Sequence, residues 1–336
     1  GPLLEEQDPF PGGTTQPGVD CPVDEAPAFF IRDSRYPPND MSTIKQLIMD
    51  VGSIWSLIYY NSAYFNGTEN TYFYGGPHLV NHVLNVVGWD DNKVTDGGIG
   101  AWICQNTYGT SWGENGFFYV SYNDSQFLLY NAYYPNHQSY NEDSRVLQYD
   151  DLGNYSSYGY GSEIGFALVK YPIYEGLFIN EIGTYAMAYG TEISMEVFSD
   201  FDENTGVLSG LLSEVSPQTT EHPGYYTFPL DNAFAVHAGG HIFIKIKYIC
   251  PGYDWPIPVE LYIEDYADPY IESEVSWISS NGMVGNWLSV GADTDYPIDL
   301  CVKAYGVVNP MTIPLADGII VSLFLMLMFF YIYKTY

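Results

Sequence analysis

Two residues of this 336-residue chain have the types and spacing that proton-transfer chemistry needs. His82 opens the apolar run His82-Val-Leu-Asn-Val-Val-Gly88, and Asn106 closes Trp102-Ile-Cys-Gln-Asn106 about two dozen residues later. If both runs are strands, the two side chains can form a base and its orienter. A thiolate nucleophile needs an adjacent imidazole to take its proton and hold an ion pair. The imidazole in turn needs a neighbour that fixes its tautomer, and an Asn side-chain carbonyl does this without adding charge. Taken alone, His82 also reads as an ordinary hydrogen-bonded sheet histidine. Cys104 shares a strand face with Asn106 by period-two alternation. It lacks the helix N-terminus that would lower a thiol pKa, and reads as a small core residue or a disulfide partner.

The elements that must carry these residues are legible in outline. Residues 1–38, rich in Pro, Gly and Asp, form an irregular lead-in. A helix follows: Thr43 and Gln46 fit a capping box, Ile44, Leu47, Ile48 and Val51 recur at helical spacing, and Gly52 is its stop. Short β-rich runs come next (SIWSLIYY, HVLNVVGW, GAWICQN and GFFYVSY), separated by Gly, Asn and Asp. This is an α+β pattern with an antiparallel sheet or barrel. From about Asn141 only alternating runs remain, such as EISMEVFS, HIFIKIKY and IDLCVKAY, between turn clusters. They predict an all-β sandwich. At the end, 318–333 is apolar or aromatic except for Ser322. Counted from Ile313 to Tyr333, it is long enough for a C-terminal transmembrane helix, with Tyr331 and Tyr333 as an interfacial belt beside Lys334.

Composition narrows the function. With 41 Asp+Glu against 10 Lys+Arg, the net charge is −31, which leaves no basic surface for nucleic acid. Such acidity suits the solvated exterior of a secreted protein. Sequons at Asn66, Asn123 and Asn154 are candidate glycosylation sites that point the same way. The chain opens GPLLEEQDPF, without a basic or apolar leader, which is expected of a surface protein from which something upstream has been removed. Cys250 and Cys301, both near the end of the sandwich, are expected to pair as a disulfide. No residue pattern calls for a cofactor or a metal ion.

The two runs around His82 and Asn106 resemble the His and Asn motifs of papain-like cysteine peptidases: Asn81-His82 before an apolar stretch, then Asn106-Thr-Tyr108-Gly-Thr-Ser-Trp112-Gly-Glu-Asn-Gly-Phe-Phe118. Upstream, Gly1, Glu5 and Pro9-Phe10 resemble the family's Gly…Glu…Pro-Tyr stretch. The resemblance implies that His82 is the general base, that Asn106 orients it, and that Trp112 and Tyr108 shield their hydrogen bond. Tyr108 stands where the family usually has Trp. Nothing in the chain matches the family's Cys-bearing block or its oxyanion-hole Gln. The β-rich region resembles the lectin-like sandwich that follows papain-like domains in some archaeal and bacterial surface peptidases. That likeness makes Trp255, Trp277 and Trp287 candidates for stacking on carbohydrate.

The resulting expectation has three parts: the His/Asn half of a papain-like domain over 1–138, a lectin-like sandwich over 139–308, and a linker with membrane anchor over 309–336. The expected function is an extracellular, single-pass membrane-anchored cysteine peptidase component at the cell surface. Its expected partners are a Cys-bearing N-terminal peptidase fragment or chain, a peptide or protein substrate, a cell-surface glycan, and lipid through residues 313–333. The alternative is an inactive structural or adhesive surface protein, or a membrane-complex subunit, that keeps both folds as a scaffold.

Overall fold

The computed structural model describes residues 29–264 and 266–308. Within them the first half contains β1 (Phe29–Arg35), α1 (Met41–Val51), β2 (Ile54–Ile58), β3 (Phe65–Asn66) and β4 (Thr71–Tyr72). It continues with β5 (His82–Thr95), β6 (Gly98–Gln105), β7 (Phe117–Ser121) and β8 (Asn131–Ser139). These strands form one eight-stranded sheet, ordered β1-β8-β2-β5-β6-β7-β4-β3. The helix packs Ile44 and Ile48 into its core, with Leu84 and Val86 of β5, Trp102 of β6 and Phe118 of β7.

The helix begins earlier than the capping-box pattern implies. Asp40, with extended backbone, is the N-cap and accepts from the Thr43 N–H at 2.9 Å, so Thr43 already lies inside the first turn. Gly52 ends the helix as expected: its φ is +89°, and its N–H bonds Ile48 O at 3.0 Å.

The second half contains β9 (Ser144–Leu147), β10 (Ser156–Tyr158), β11 (Ile164–Pro172), β12 (Leu177–Ala186), β13 (Glu192–Asp202) and β14 (Val207–Thr219). Then come β15 (Gly224–Val236), β16 (His241–Ile249), β17 (Ile257–Leu261), β18 (Ser276–Ser279), β19 (Leu288–Val290), β20 (Ile298–Leu300) and β21 (Val302–Val308). A six-stranded sheet (β14-β13-β16-β11-β18-β19) and a four-stranded sheet (β15-β12-β21-β9) share one core, beside a small sheet of β10-β17-β20. Alternation decides which side chains enter it. Ile242, Ile244, Ile246 and Tyr248 of β16 point in with Ile193, Met195 and Val197 of β13, to meet Ile179 and Ile182 of β12. Phe243 points the other way and packs with Leu168, Phe201 and Trp277 on the outer face.

Two expectations about class are corrected here. The chain is mostly β, not α+β: the described residues hold 21 strands against one 11-residue α-helix and a 3-10 turn at Ser62–Tyr64. The strand-rich apolar runs pair with one another and leave little for helices to cover. The expected transmembrane helix is not supported either. At 1.5 Å per residue, α1 is about half as long as a bilayer's hydrocarbon core is thick, and no helix among the described residues is long and apolar enough to cross a membrane. Residues 313–333 themselves lie outside the described residues.

β1 ties the two halves together. Arg32 forms an ion pair with Glu181 of β12, and its guanidinium lies 3.6 Å from the centroid of the Tyr305 ring. Arg35 donates to Tyr225 O and sits 3.2 Å over the Tyr226 ring. Asp33 Oδ1 accepts from the Thr227 N–H at 2.9 Å, and Tyr36 N–H bonds Pro223 O at 2.9 Å. Gly224, at φ +141°, lies against this strand: a Cβ there would run into Ser34 O and come within 2.9 Å of Arg35 Cα. Both obstacles are backbone and cannot swing aside. Gly224→Ala is therefore expected to destabilise the protein by about 1–3 kcal/mol. The check is thermal unfolding followed by circular dichroism; an unchanged Tm would show that β1 and β15 are not held as tightly as this contact implies.

Candidate active site

β5 and β6 pair antiparallel with Asn85 opposite Gln105, so the start of one strand lies beside the end of the other. His82 is the first residue of β5, and Asn106 follows the last residue of β6. Their side chains meet: His82 Nε2 lies 2.9 Å from Asn106 Oδ1. The Thr107 N–H donates to the same oxygen at 2.8 Å, which fixes the orientation of the amide. Because that oxygen only accepts, Nε2 carries the imidazole proton and Nδ1 keeps the lone pair. Among the described residues, Nδ1 has no hydrogen-bond partner. Asn106 is 7% exposed, and its Nδ2 is buried without a partner among those residues.

The loop after β6 is shaped by its glycines. Asn106 N–H bonds Gly116 O at 2.9 Å, and Gly116 N–H bonds Trp112 O at 2.8 Å, which closes the loop on itself. Gly113, at φ +57°, lies where a Cβ would collide with Phe117 O, so the Trp112-Gly113 step tolerates no side chain. This places Trp112 on Phe65 (ring centroids 4.8 Å apart, nearly parallel) and edge-on to Phe118 and Tyr108. Tyr108 stacks on the His82 ring at 5.4 Å and is 47% exposed. The imidazole is therefore covered on one face by a phenol that is itself open to solvent.

Two further residues contribute: Tyr60, which sequence patterns did not single out, and Asn81, which they gave only as the residue before His82 in the motif. Tyr60, just beyond β2, lies 5.8 Å from the His82 ring and edge-on to Tyr108. Burial, then the neighbouring Tyr108, pushes the Tyr60 phenol above its usual pKa, so it stays a neutral wall. Asn81 clamps the same corner: its Oδ1 accepts from Tyr60 N–H at 2.7 Å, and its Nδ2 donates to Tyr60 O at 3.1 Å. The signals were the aromatic pair closing SIWSLIYY and the Asn preceding the His.

The described cysteines lie elsewhere. Cys104 is fully buried in the core of the first half, and burial pushes its thiol well above the ordinary pKa. Cys250 and Cys301 are both buried and both free, so the expected disulfide is corrected. Cys250 follows β16 and takes a contact from Thr191 Oγ1 at 3.4 Å, whereas Cys301 lies between β20 and β21 with its N–H on Pro258 O. Belonging to different sheets, the two thiols are held by separate neighbours. Cys21, Gly1, Glu5 and Pro9-Phe10 lie outside the described residues.

The three tryptophans proposed for sugar stacking separate. Trp277 is 5% exposed and edge-on to Phe201, so it offers no free face, and its expected role is corrected. Trp287 is partly covered on the same cluster. Trp255 remains half exposed. The candidate glycosylation residues also differ. Asn66 Oδ1 accepts from the Thr68 and Glu69 N–H groups, Asn123 Nδ2 donates to Gly97 O at 2.8 Å, and Asn154 Nδ2 rests 3.5 Å from Met187 Sδ.

Comparison with known proteins agrees with this geometry. Residues 5–135 match the papain family cysteine protease model, and residues 146–306 match the lectin like domain model. The chain thus joins a papain-family peptidase region to a lectin-like domain. Among solved structures, it is similar to the clostridial cysteine protease Cwp84 after propeptide cleavage: 20% identical, TM-score 0.77, covering 92% of this chain and 79% of that one. A structure of the cysteine protease and lectin-like domains of Cwp84, a surface layer associated protein of Clostridium difficile, is also 20% identical, with TM-score 0.76 over 92% of this chain and 71% of that one. At this identity the likeness establishes the shared fold. Cathepsin B-like CP1 of Giardia intestinalis is 34% identical over 64 residues, 19% of this chain. The matched stretch spans a fifth of that relative's length.

Proposed function

We propose that this chain supplies the base and orienter of a cysteine peptidase that works at the cell surface, and that its thiol comes from a Cys-bearing segment beyond the described residues. The observation that carries the reading is the His82–Asn106 hydrogen bond, which leaves Nδ1 as a proton acceptor without a partner among the described residues. Buried Cys104, Cys250 and Cys301 do not qualify as the nucleophile. A thiol brought to Nδ1 would pass its proton to the imidazole, and the thiolate would attack the substrate's carbonyl carbon. The imidazolium would return that proton to the departing amine, and water would then hydrolyse the thioester. Asn106 holds the ring in register through both steps, while Tyr60, Tyr108 and Trp112 wall it. The surface location rests on the Clostridium difficile protein of the same fold, and the glycan partner on the lectin-like domain.

The test compares the product of the intact gene with the 336-residue chain. The intact product is expected to hydrolyse a fluorogenic peptide in a thiol-dependent manner. The shorter chain is expected to do neither that nor react at Cys104 with an electrophilic peptide probe. Stoichiometric labelling of Cys104 with turnover would overturn the assignment of the nucleophile. An intact product without turnover would instead favour the scaffold reading.

A further inference from the structure

His222 sits where the two halves of the molecule meet. It lies in the connection between β14 and β15 and is 6% exposed. Tyr133 of β8 stands edge-on to its ring at 6.5 Å, and Tyr189, between β12 and β13, stands edge-on at 5.9 Å. One phenol belongs to the peptidase region and the other to the lectin-like domain. The next residue, Pro223, takes the Tyr36 N–H at 2.9 Å, and Gly224 then lies against the backbone of β1. We infer that His222 makes this junction acid-sensitive: a proton taken up by its imidazole drives the 222–224 turn off β1 and loosens the lectin-like domain from the peptidase region.

The surroundings suit a neutral ring and not a charged one. An imidazolium carries a proton on both nitrogens. Nδ1 is buried and has no hydrogen-bond partner among the described residues, so a proton there would find no acceptor. Nε2 faces the Glu221 carboxylate, which is open to solvent and, at 3.9 Å, too far for a hydrogen bond. The other nearby charge has the wrong sign. It is the Arg35 guanidinium, held over the Tyr226 ring, and Tyr226 Oη donates to His222 O at 2.7 Å. Among the remaining ionisable groups of the junction, Asp33 is paired with Arg35 at 3.3 Å, Asp50 acts on the Tyr133 phenol, and Asp40 acts on the Tyr189 phenol. The phenols of Tyr133, Tyr189 and Tyr226 are kept neutral by burial. Burial also holds the imidazole below its ordinary pKa; Glu221 offsets part of that, and Arg35 adds to it. The closed junction therefore binds the proton more weakly than the open one. It keeps its full strength above the ordinary histidine value, about 6.5, and loses strength as pH falls below it.

The device is independent of the thiol chemistry. It is tested by hydrogen exchange on the full chain, read by mass spectrometry and corrected for the intrinsic effect of pH, since amides bonded across the junction report its local opening. The reporters are the Tyr36 N–H, on Pro223 O, and the Thr227 N–H, on Asp33 Oδ1. Protection in peptides 29–36 and 222–228 is expected to fall about tenfold between pH 7.5 and pH 5, within the limit of tenfold per pH unit that one proton sets. Peptides from β16, in the sandwich core, are expected to keep theirs. His222→Phe retains a flat ring and His222→Gln retains polarity; each is expected to abolish the fall. Glu221→Gln, at an exposed position, is expected to enlarge it by removing the one favourable charge. The inference is overturned if the junction peptides of the parent do not respond to pH, if the fall persists in both His222 variants, or if β16 loses protection in step, as in global unfolding.

Discussion

In the product of the intact gene, His82→Ala is expected to lower kcat by about 10²–10⁴-fold, the range that a positioned general base contributes, with KM little changed. The reason is geometric. Nδ1 is the free nitrogen because Asn106 Oδ1 and Thr107 N–H together settle which nitrogen carries the proton. Without the ring, a thiol has no acceptor, and the departing amine has no donor. Asn106→Ala is expected to fall between parent and His82→Ala, since it removes the orienter and leaves the base. Steady-state kinetics on a fluorogenic peptide give the order, and circular dichroism confirms that each variant is folded. If His82→Ala retained more than a tenth of the parent kcat, the residue would not be the base. Equal losses in KM and kcat would place it in substrate binding instead.

The second large effect concerns the buried charges of the lectin-like domain. Asp150, Glu260 and Asp299 are all 0% exposed, and each carries an oxygen without a hydrogen-bond partner among the described residues. Glu260 and Asp299 face each other across β17 and β20. Burial pushes Asp150 up to about 6, partly offset by Lys303, and pushes Asp299 up to about 7; Glu260 is also raised by burial. The folded state therefore holds protons that the unfolded chain has already released. For Asp150 and Asp299 the penalty for ionising is absent below about 4, grows as pH rises toward 7, and is complete above it; Glu260 adds to it in the same direction. Each such group steepens the loss of stability by up to about 1.4 kcal/mol per pH unit within its window.

Lys303→Met strips Asp150 of its counter-charge. It is expected to cost about 3–5 kcal/mol at pH 8, where the carboxylate must stay ionised or bind a proton against the bulk. At pH 5 the cost is expected to be much smaller, because Asp150 can protonate. Urea titrations of parent and variant at both pH values provide the difference, and taking that difference cancels the general repulsion of so acidic a protein. The same penalty at both pH values would mean that Lys303 acts through packing, not charge.

How far the chain could be read from its residues followed physical lines. The His82 and Asn106 runs were legible because a glycine-bounded loop and a short apolar strand are local features, and each glycine reports a backbone constraint such as that at Gly113. Tyr60 was not, since it reaches the imidazole only through the pairing of β2 with β5. The sandwich strands were visible by alternation, but alternation does not say whether the second face is bare. Trp277 lies on that second face and is covered edge-on by Phe201 of β13, a strand distant in the sheet order, in a cluster with Leu168 and Phe243. The Cys250–Cys301 pairing failed for a related reason: nearness along the chain's end does not place two residues in one sheet. The true cap of α1, Asp40, was hidden by a better-looking pattern three residues downstream.

The strap formed by β1 bears on inheritance as well as on rigidity. A strand that hydrogen-bonds into the eight-stranded sheet while its two arginines rest on tyrosines of the other fold makes neither fold an interchangeable cassette. Cutting between them would strand Glu181 beside an empty seat and bare the Tyr226 and Tyr305 rings to water. Lineages that shuffle domains would have to rebuild both surfaces after each exchange. Peptidase and lectin-like regions joined in this way are expected to travel as one evolutionary unit, and substitutions at Arg32 and Arg35 are expected to track those at Glu181, Tyr226 and Tyr305.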